Sequence, residues 1–264
     1  MKCKNCNTTL SLENNYCNAC GAKVIRNRLT LKNLFSDFIE TYLNYDNKFI
    51  QTFINLFKKP EDVIGNYING TRKKYVNVIS YFTLAITISG LYLLIMNKFF
   101  PESIDFSVFS NPGQEEFQKR NVGFVQEYQA LFMMLYVPIY ALMARATFIG
   151  INKYNYTELL VIFLYIQAQL SIASAVLGIM VISLFGINQG VFSLIAIPLM
   201  IVYSAFCLKR LYKLNYKNII LRTLLFLVIL IMAFAILSVI MAIIMFLNGN
   251  FQSMIEAQKA ATGS

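Results

Sequence analysis

The chain contains no histidine and no tryptophan. Without imidazole there is no histidine base, no histidine metal ligand and no Ser-His pair, which removes most hydrolase chemistries. Charge is scarce too: Asp, Glu, Lys and Arg make up 14% of the 264 residues, against about 25% in an ordinary soluble domain. With 57% of residues hydrophobic, a purely soluble fold is excluded. The start, Met1-Lys2-Cys3-Lys4-Asn5-Cys6, has no apolar run behind its positive charge, so no cleavable signal peptide is expected.

What is present falls into zones: a cysteine-rich module at 1–24, aromatic amphipathic helices at 28–77, a membrane region at 78–248 and a flexible tail at 249–264. In the second zone Leu31, Leu34, Phe35, Phe38, Ile39, Tyr42 and Leu43 recur at helical spacing behind Thr30 as N-cap. A second helix after Asp46 gathers Phe49, Ile50, Phe53, Ile54 and Phe57 on one side. Pro60 opens a third, with Glu61 and Asp62 at its positive end and Gly70 as C-cap. Such faces either pack on one another or lie in the bilayer interface. The run Arg72-Lys73-Lys74 before the first span favours membrane contact.

A membrane-crossing helix needs ~20 mainly apolar residues. Five stretches qualify, near 78–97, 128–151, 157–185, 190–208 and 219–248. With the N-terminus inside, segments 1–77, 145–158 and 209–222 hold 12, 2 and 5 Lys or Arg, against 3, none and 1 in 98–127, 186–190 and 249–264. The sequence thus predicts a multi-pass protein of the cytoplasmic membrane with its N-terminus cytosolic and its C-terminus outside. The net charge of +10 follows from topology and anionic headgroups at the inner face, without a nucleic-acid partner.

Four of the five cysteines, Cys3, Cys6, Cys17 and Cys20, form C-x2-C-x10-C-x2-C. Two such turns supply four thiolates to one tetrahedral ion, with one structural zinc the natural occupant and iron the alternative. Asn7 and Gly21 follow the two turns, where positive φ is often required. A reducing cytosol favours metal over disulfide. Lys2, Lys4, Lys23, Arg26 and Arg28 make the module basic, but only Tyr16 offers a ring for stacking, so a protein partner is favoured over nucleic acid. Cys207, alone in an apolar run, reads as a small buried residue.

Met1 to Cys6 with Asn15 to Gly21 resembles the short zinc-ribbon module that heads many bacterial membrane proteins. Lys58-Lys59-Pro60 and the run from Tyr67 to Tyr75 resemble the hallmark of a Bacteroidota zinc-ribbon integral membrane family with a domain of unknown function. In that family the segment matching Glu158 to Gln167 tends to carry histidines, where this chain has Leu159, Tyr165 and Gln167. More distantly, five spans behind a cytosolic N-terminus, with Pro60 before the first, are similar to the Yip family of membrane proteins. That resemblance implies a non-enzymatic membrane adaptor.

Among polar residues near the spans, Arg145, Glu158 and Arg222 join Arg72, Lys73 and Lys74 as candidate headgroup or substrate contacts. The alternative roles are a snorkelling arginine and a capping glutamate. Gln167 and Gln169 lie about 200° apart on a helix, so at least one should bond a neighbouring helix. Ser171/Ala175 and Ser174/Gly178 are small-residue pairs suited to close approach. Segment 98–127 reads as a solvated loop. No acid, base and nucleophile constellation is present, so the expectation is an all-α five-span protein with a zinc-ribbon module, acting as a non-enzymatic adaptor or regulator at the cytosolic face. A lipid or small-amphiphile transporter or channel is the alternative. A homo-oligomer is compatible with either.

Overall fold

The computed structural model describes residues 1–11, 13–24, 26, 30–32, 48–104, 115–151 and 153–247, with the backbone alone for 115–120, 237 and 240–247. The chain divides into two compact units, Met1–Asn47 and Lys48–Ser264. Beyond residues 31–32, which are helical, the first expected amphipathic helix lies outside the described residues, as does the tail.

The first unit has isolated antiparallel bridges, Lys2 with Thr9 and Tyr16 with Lys23, and no longer strand among its described residues. Its buried centre is Cys3, Leu10 and Cys17, flanked by Ala22 and Val24.

Among its described residues the second unit holds eight α-helices: α1 (Lys48–Lys58), α2 (Pro60–Ile68), α3 (Val78–Phe99), α4 (Glu115–Glu127), α5 (Gln129–Thr147), α6 (Tyr156–Phe185), α7 (Gln189–Tyr212) and α8 (Tyr216–Leu247). Of these, α3, α5, α6, α7 and α8 are long and apolar enough to cross a membrane, so five candidate spans stand where five were expected. Their starts are written in the sequence. Asn77 accepts the Ile79 N–H at 2.9 Å and Asn188 that of Val191 at 2.9 Å. Asn155 and Glu158 form a reciprocal capping box on α6. Gly186, at φ +63°, ends α6 in the left-handed conformation.

Helix α6 is the hub. It packs against α3, α5 and α7 and buries Leu159, Ile162, Tyr165, Ile166, Gln169 and Ile172. Outermost α8 leaves Leu224, Val228, Ile231, Phe234 and Ile236 exposed. An apolar surface so continuous suits hydrocarbon and not water. The segment expected as a loop between the first two spans contains a 3-10 turn at Pro101–Ser103 and α4.

Helices α1 and α2 form a hairpin packed against the bundle, α2 touching both α6 and α7. Pro60 occupies the first turn of α2, while the C-cap is Asn69 and Gly70, one residue on, carries φ +96°. Val63, Ile64 and, on α1, Leu56 are fully buried, each worth about 1.5–3 kcal/mol against exposure to water. The buried seam of α1 differs from the expected face. It runs through Thr52 and Leu56 with Phe49 and Phe53 beside them, whereas Ile50, Ile54 and Phe57 are 47%, 41% and 42% exposed. Thr52 is inside because its hydroxyl accepts the Val76 N–H at 3.1 Å and donates to the Lys48 carbonyl at 2.6 Å.

Candidate metal centre

The two cysteine turns are built alike. In the first, the Cys3 N–H donates to the Thr8 carbonyl (2.9 Å) and the Asn7 N–H to Cys3 (2.9 Å); in the second, Cys17 donates to Ala22 (2.8 Å) and Gly21 to Cys17 (2.8 Å). Leu10 bonds Met1 and Val24 bonds Asn15 at the same offsets, so Met1–Leu10 and Asn15–Val24 are two copies of one motif spaced fourteen residues apart. Asn7 (φ 60°) and Gly21 (φ 70°) take the left-handed conformation that closes each turn, as their residue types suggest.

Each turn contributes one buried sulfur, from Cys3 and Cys17, and one exposed sulfur, from Cys6 and Cys20. The Cys3–Cys20 and Cys6–Cys17 sulfurs stand 3.7 and 3.5 Å apart, and all four lie within 4.8 Å of one another. Thiolates about 2.3 Å from one ion at the corners of a tetrahedron would be about 3.8 Å apart. The set therefore fits a single metal ion. All four cysteines are free thiols, since a disulfide needs a sulfur separation near 2.05 Å. Zinc and a single iron satisfy this geometry equally. Hydrogen bonds from the Thr8 side chain and backbone hold the Cys6 thiol down at about 6, toward the thiolate that binds metal. A three-residue centre is too small to fold a module unaided, so metal affinity would supply folding free energy.

The other expected site residues are dispersed. Lys74 pairs with Asp62 at 2.8 Å, and Asp62 also accepts from Asn66 (2.7 Å) and from the Tyr75 hydroxyl. Burial raises the Asp62 carboxyl, but Lys74, Tyr75 and Asn66 outweigh it and hold the group below its ordinary range. The Arg72 guanidinium lies 5.4 Å from the centre of the Tyr67 ring, and Lys73 is exposed. Arg145 is exposed and no ion pair joins it to Glu158, which serves as half of the α6 capping box. Arg222 donates to the Thr147 carbonyl at 2.5 Å, with its guanidinium 5.3 Å from the Phe148 ring. The six residues thus form no single cluster.

Side-chain contacts tie the hairpin to the spans; Gln169 meets the expectation that at least one of Gln167 and Gln169 bonds a neighbouring helix, whereas the tyrosine contacts were not read from the sequence. Buried Gln169 accepts from the Tyr81 hydroxyl (2.5 Å) and donates to the Phe53 carbonyl (3.0 Å), while Gln167 lines a cavity on another side of α6. Tyr165 donates to Val76 (2.8 Å) and Tyr203 to Leu56 (3.1 Å). Arg210 grips Glu61 with two nitrogens at 3.0 and 2.5 Å. The available signal was tyrosine itself: a polar-tipped ring inside an apolar helix needs a partner for its hydroxyl. Gly178 does make room, but for the Tyr92 ring, which would stand 3.1 Å from an added Cβ and whose hydroxyl donates to Gln189.

Two cavities adjoin Arg222. One of about 300 Å³ lies between α5, α6, α7 and α8; the other, of about 370 Å³, is lined by the end of α5, Ile149, Ile151 and the first turns of α8.

A family profile described as "Protein of unknown function (DUF3667)" matches residues 46–90, which are the α1–α2 hairpin, its connection to α3 and more than half of α3. No curated protein and no solved structure matches the chain.

Proposed function

We propose that this chain is a non-enzymatic adaptor or regulator of the bacterial inner membrane, presenting a zinc-bound module to a protein partner at the cytosolic face. The observation that carries the reading is the four-sulfur cluster, whose donors would fill all four positions of a tetrahedral ion. A closed site leaves no position for substrate, which turns the module toward recognition. The excess of Lys and Arg on segments 1–77, 145–158 and 209–222 supports a cytosolic N-terminus. Exposed Ile54 and Phe57 on the docked hairpin favour contact with the lipid interface. The match at 46–90, together with the cysteine motif ahead of it, is in keeping with the zinc-ribbon membrane family that the sequence resembles.

The test is crosslinking in intact membranes with the full chain, a chain lacking residues 1–24, and Cys17→Ser. Because α1 and α2 belong to the bundle, only the module is removed. Loss of one partner from both variants is expected; equal recovery from all three refutes the reading. A second reading, a lipid or small-amphiphile transporter or channel, is favoured by one observation, the cavity beside Arg222.

A further inference from the structure

We propose that the cavity between α5, α6, α7 and α8 binds a single-chain anionic amphiphile, its carboxylate or phosphate on Arg222 and its hydrocarbon tail along the apolar wall. The inference deepens the second reading by naming its ligand chemistry, and it requires neither transport nor the adaptor role.

Among the described residues, Arg222 is the only charged one lining this cavity. It is half-buried, about 9 Å into α8, and has no carboxylate partner among the described residues. A guanidinium carries five N–H donors. One Nη1 contact to Thr147 accounts for part of that capacity, and Nε and Nη2 make no hydrogen bond to a described residue. The Thr147 carbonyl and the Phe148 ring are its neighbours and neither neutralises the charge, so an anionic headgroup would complete the site.

The lining is graded along its length. Arg222 stands at one end of the α8 contribution and Leu230, eight residues or about 12 Å further, at the other. Between them lie Phe226 and Leu227, faced by Leu170 of α6 and Ile197 and Ile201 of α7. One charged end and one hydrocarbon end is the shape of an amphiphile. At about 300 Å³ the space is roughly twice the ~150 Å³ cavity that accepts one benzene ring, enough for about a dozen carbons and too small for a two-chain lipid. The second cavity shares Arg222 and contains Asn218, which offers the headgroup a polar approach from the end of the bundle.

The experiment uses the full chain in phosphatidylcholine nanodiscs with radiolabelled dodecanoate. Saturable binding of one dodecanoate per chain is expected, displaced by dodecyl phosphate but not by excess phosphatidylglycerol or dodecanol. Arg222→Gln should weaken binding at least about tenfold, as loss of a charge-assisted pair requires, with Arg222→Lys retaining part of it. Because Arg222 also bonds Thr147, Ala205→Phe supplies a second variant that fills the cavity and leaves the cation alone. It should abolish binding without lowering the melting temperature. Binding no greater than in empty discs, wild-type affinity in both Arg222→Gln and Ala205→Phe, or equal displacement by dodecanol overturns the proposal. Displacement by phosphatidylglycerol overturns the single-chain assignment. None of these outcomes touches the crosslinking result, so the two readings fail separately.

Discussion

Replacing Gln169 by leucine should loosen the α1–α2 hairpin while leaving the spans in place. Gln169 is fully buried near the middle of α6 and, among the described residues, is the one side chain that bonds both α3, through Tyr81, and α1, through the Phe53 carbonyl. Leucine keeps most of the volume but orphans the Tyr81 hydroxyl. The Phe53 carbonyl sits within α1 and keeps its helical partner, so one group, not two, loses its bond. An unsatisfied buried hydroxyl costs about 1–3 kcal/mol. Polar pairs between membrane helices average about 0.6 kcal/mol, because the unfolded chain also finds partners. The expected loss is therefore about 1 kcal/mol, or roughly 2–4 °C in melting temperature for a chain of this size. Tyr81→Phe removes the orphaned hydroxyl, so the double variant should regain part of the loss. Thermal unfolding of the four proteins in one detergent gives the coupling, and hydrogen exchange at the α1 amides localises it. A coupling indistinguishable from zero, with α1 exchange unchanged in Gln169→Leu, would refute the view that this residue pins the hairpin.

Purified protein should carry one equivalent of zinc by elemental analysis, and Cys3→Ser should lose it together with exchange protection at Leu10 and Val24, whose amides bond Met1 and Asn15. Gly21→Ala places a Cβ at φ +70° and should cost about 1–2 kcal/mol of module stability with no clash to explain it, read as weaker zinc retention under chelator challenge. The lowered Asp62 carboxyl contributes stability that is complete above its ordinary value of 3.8 and is lost as the pH falls through its folded value. Exchange protection in α2 should therefore drop below about pH 4, and the drop should vanish in Asp62→Asn. Lys153→Glu should lower the melting temperature more than Lys153→Ala, because only the former sets an anion against the C-terminal carbonyls of α7, and salt should narrow the gap.

The five candidate spans were legible because a run of twenty apolar residues has few other fates, and the four-sulfur cluster because C-x2-C fixes sulfur geometry within a few residues. Asn7 and Gly21 could be read for the same local reason. The docking of the hairpin was not legible. Helix α1 gathers its apolar side chains in an arc of about 160°, and periodicity finds that arc but not which part of it is covered: the buried seam through Thr52 and Leu56 lies at one edge and exposed Ile54 at the other. That choice is made at a distance, by the Val76 N–H seeking Thr52 and the Phe53 carbonyl meeting Gln169. Helix α4 was missed because its mixed polar sequence, with Gly123 inside, has neither the periodicity of a packed helix nor the apolar length of a span. That the likeness of the two cysteine turns extends over Met1–Leu10 and Asn15–Val24 was not legible, because these segments share only their cysteines in sequence; what they share beyond that is backbone hydrogen bonding.

The placement of charge at one end of the bundle follows a simple electrostatic order that also bears on the count of basic residues. Helices α5 and α7 finish at this end and present orphan carbonyls, while α6 begins here and presents orphan N–H groups. Cations go to the first: Arg222 bonds the Thr147 carbonyl of α5, and Lys153, with the Tyr154 hydroxyl, bonds the Leu211 carbonyl of α7. The anion goes to the second, with Glu158 closing the capping box of α6. Lys74 and Arg210 are taken up by Asp62 and Glu61 of the hairpin. At least four of the 19 cations on the 1–77, 145–158 and 209–222 segments therefore have protein partners before any lipid is considered. This does not weaken the topology argument. A helix that runs toward the cytosol ends there with its negative pole exposed, so a cation placed to cap it also obeys the positive-inside bias. One arrangement of Lys and Arg meets both demands, and α5 and α7, the two spans whose C-termini lie at this end, are the ones that receive it.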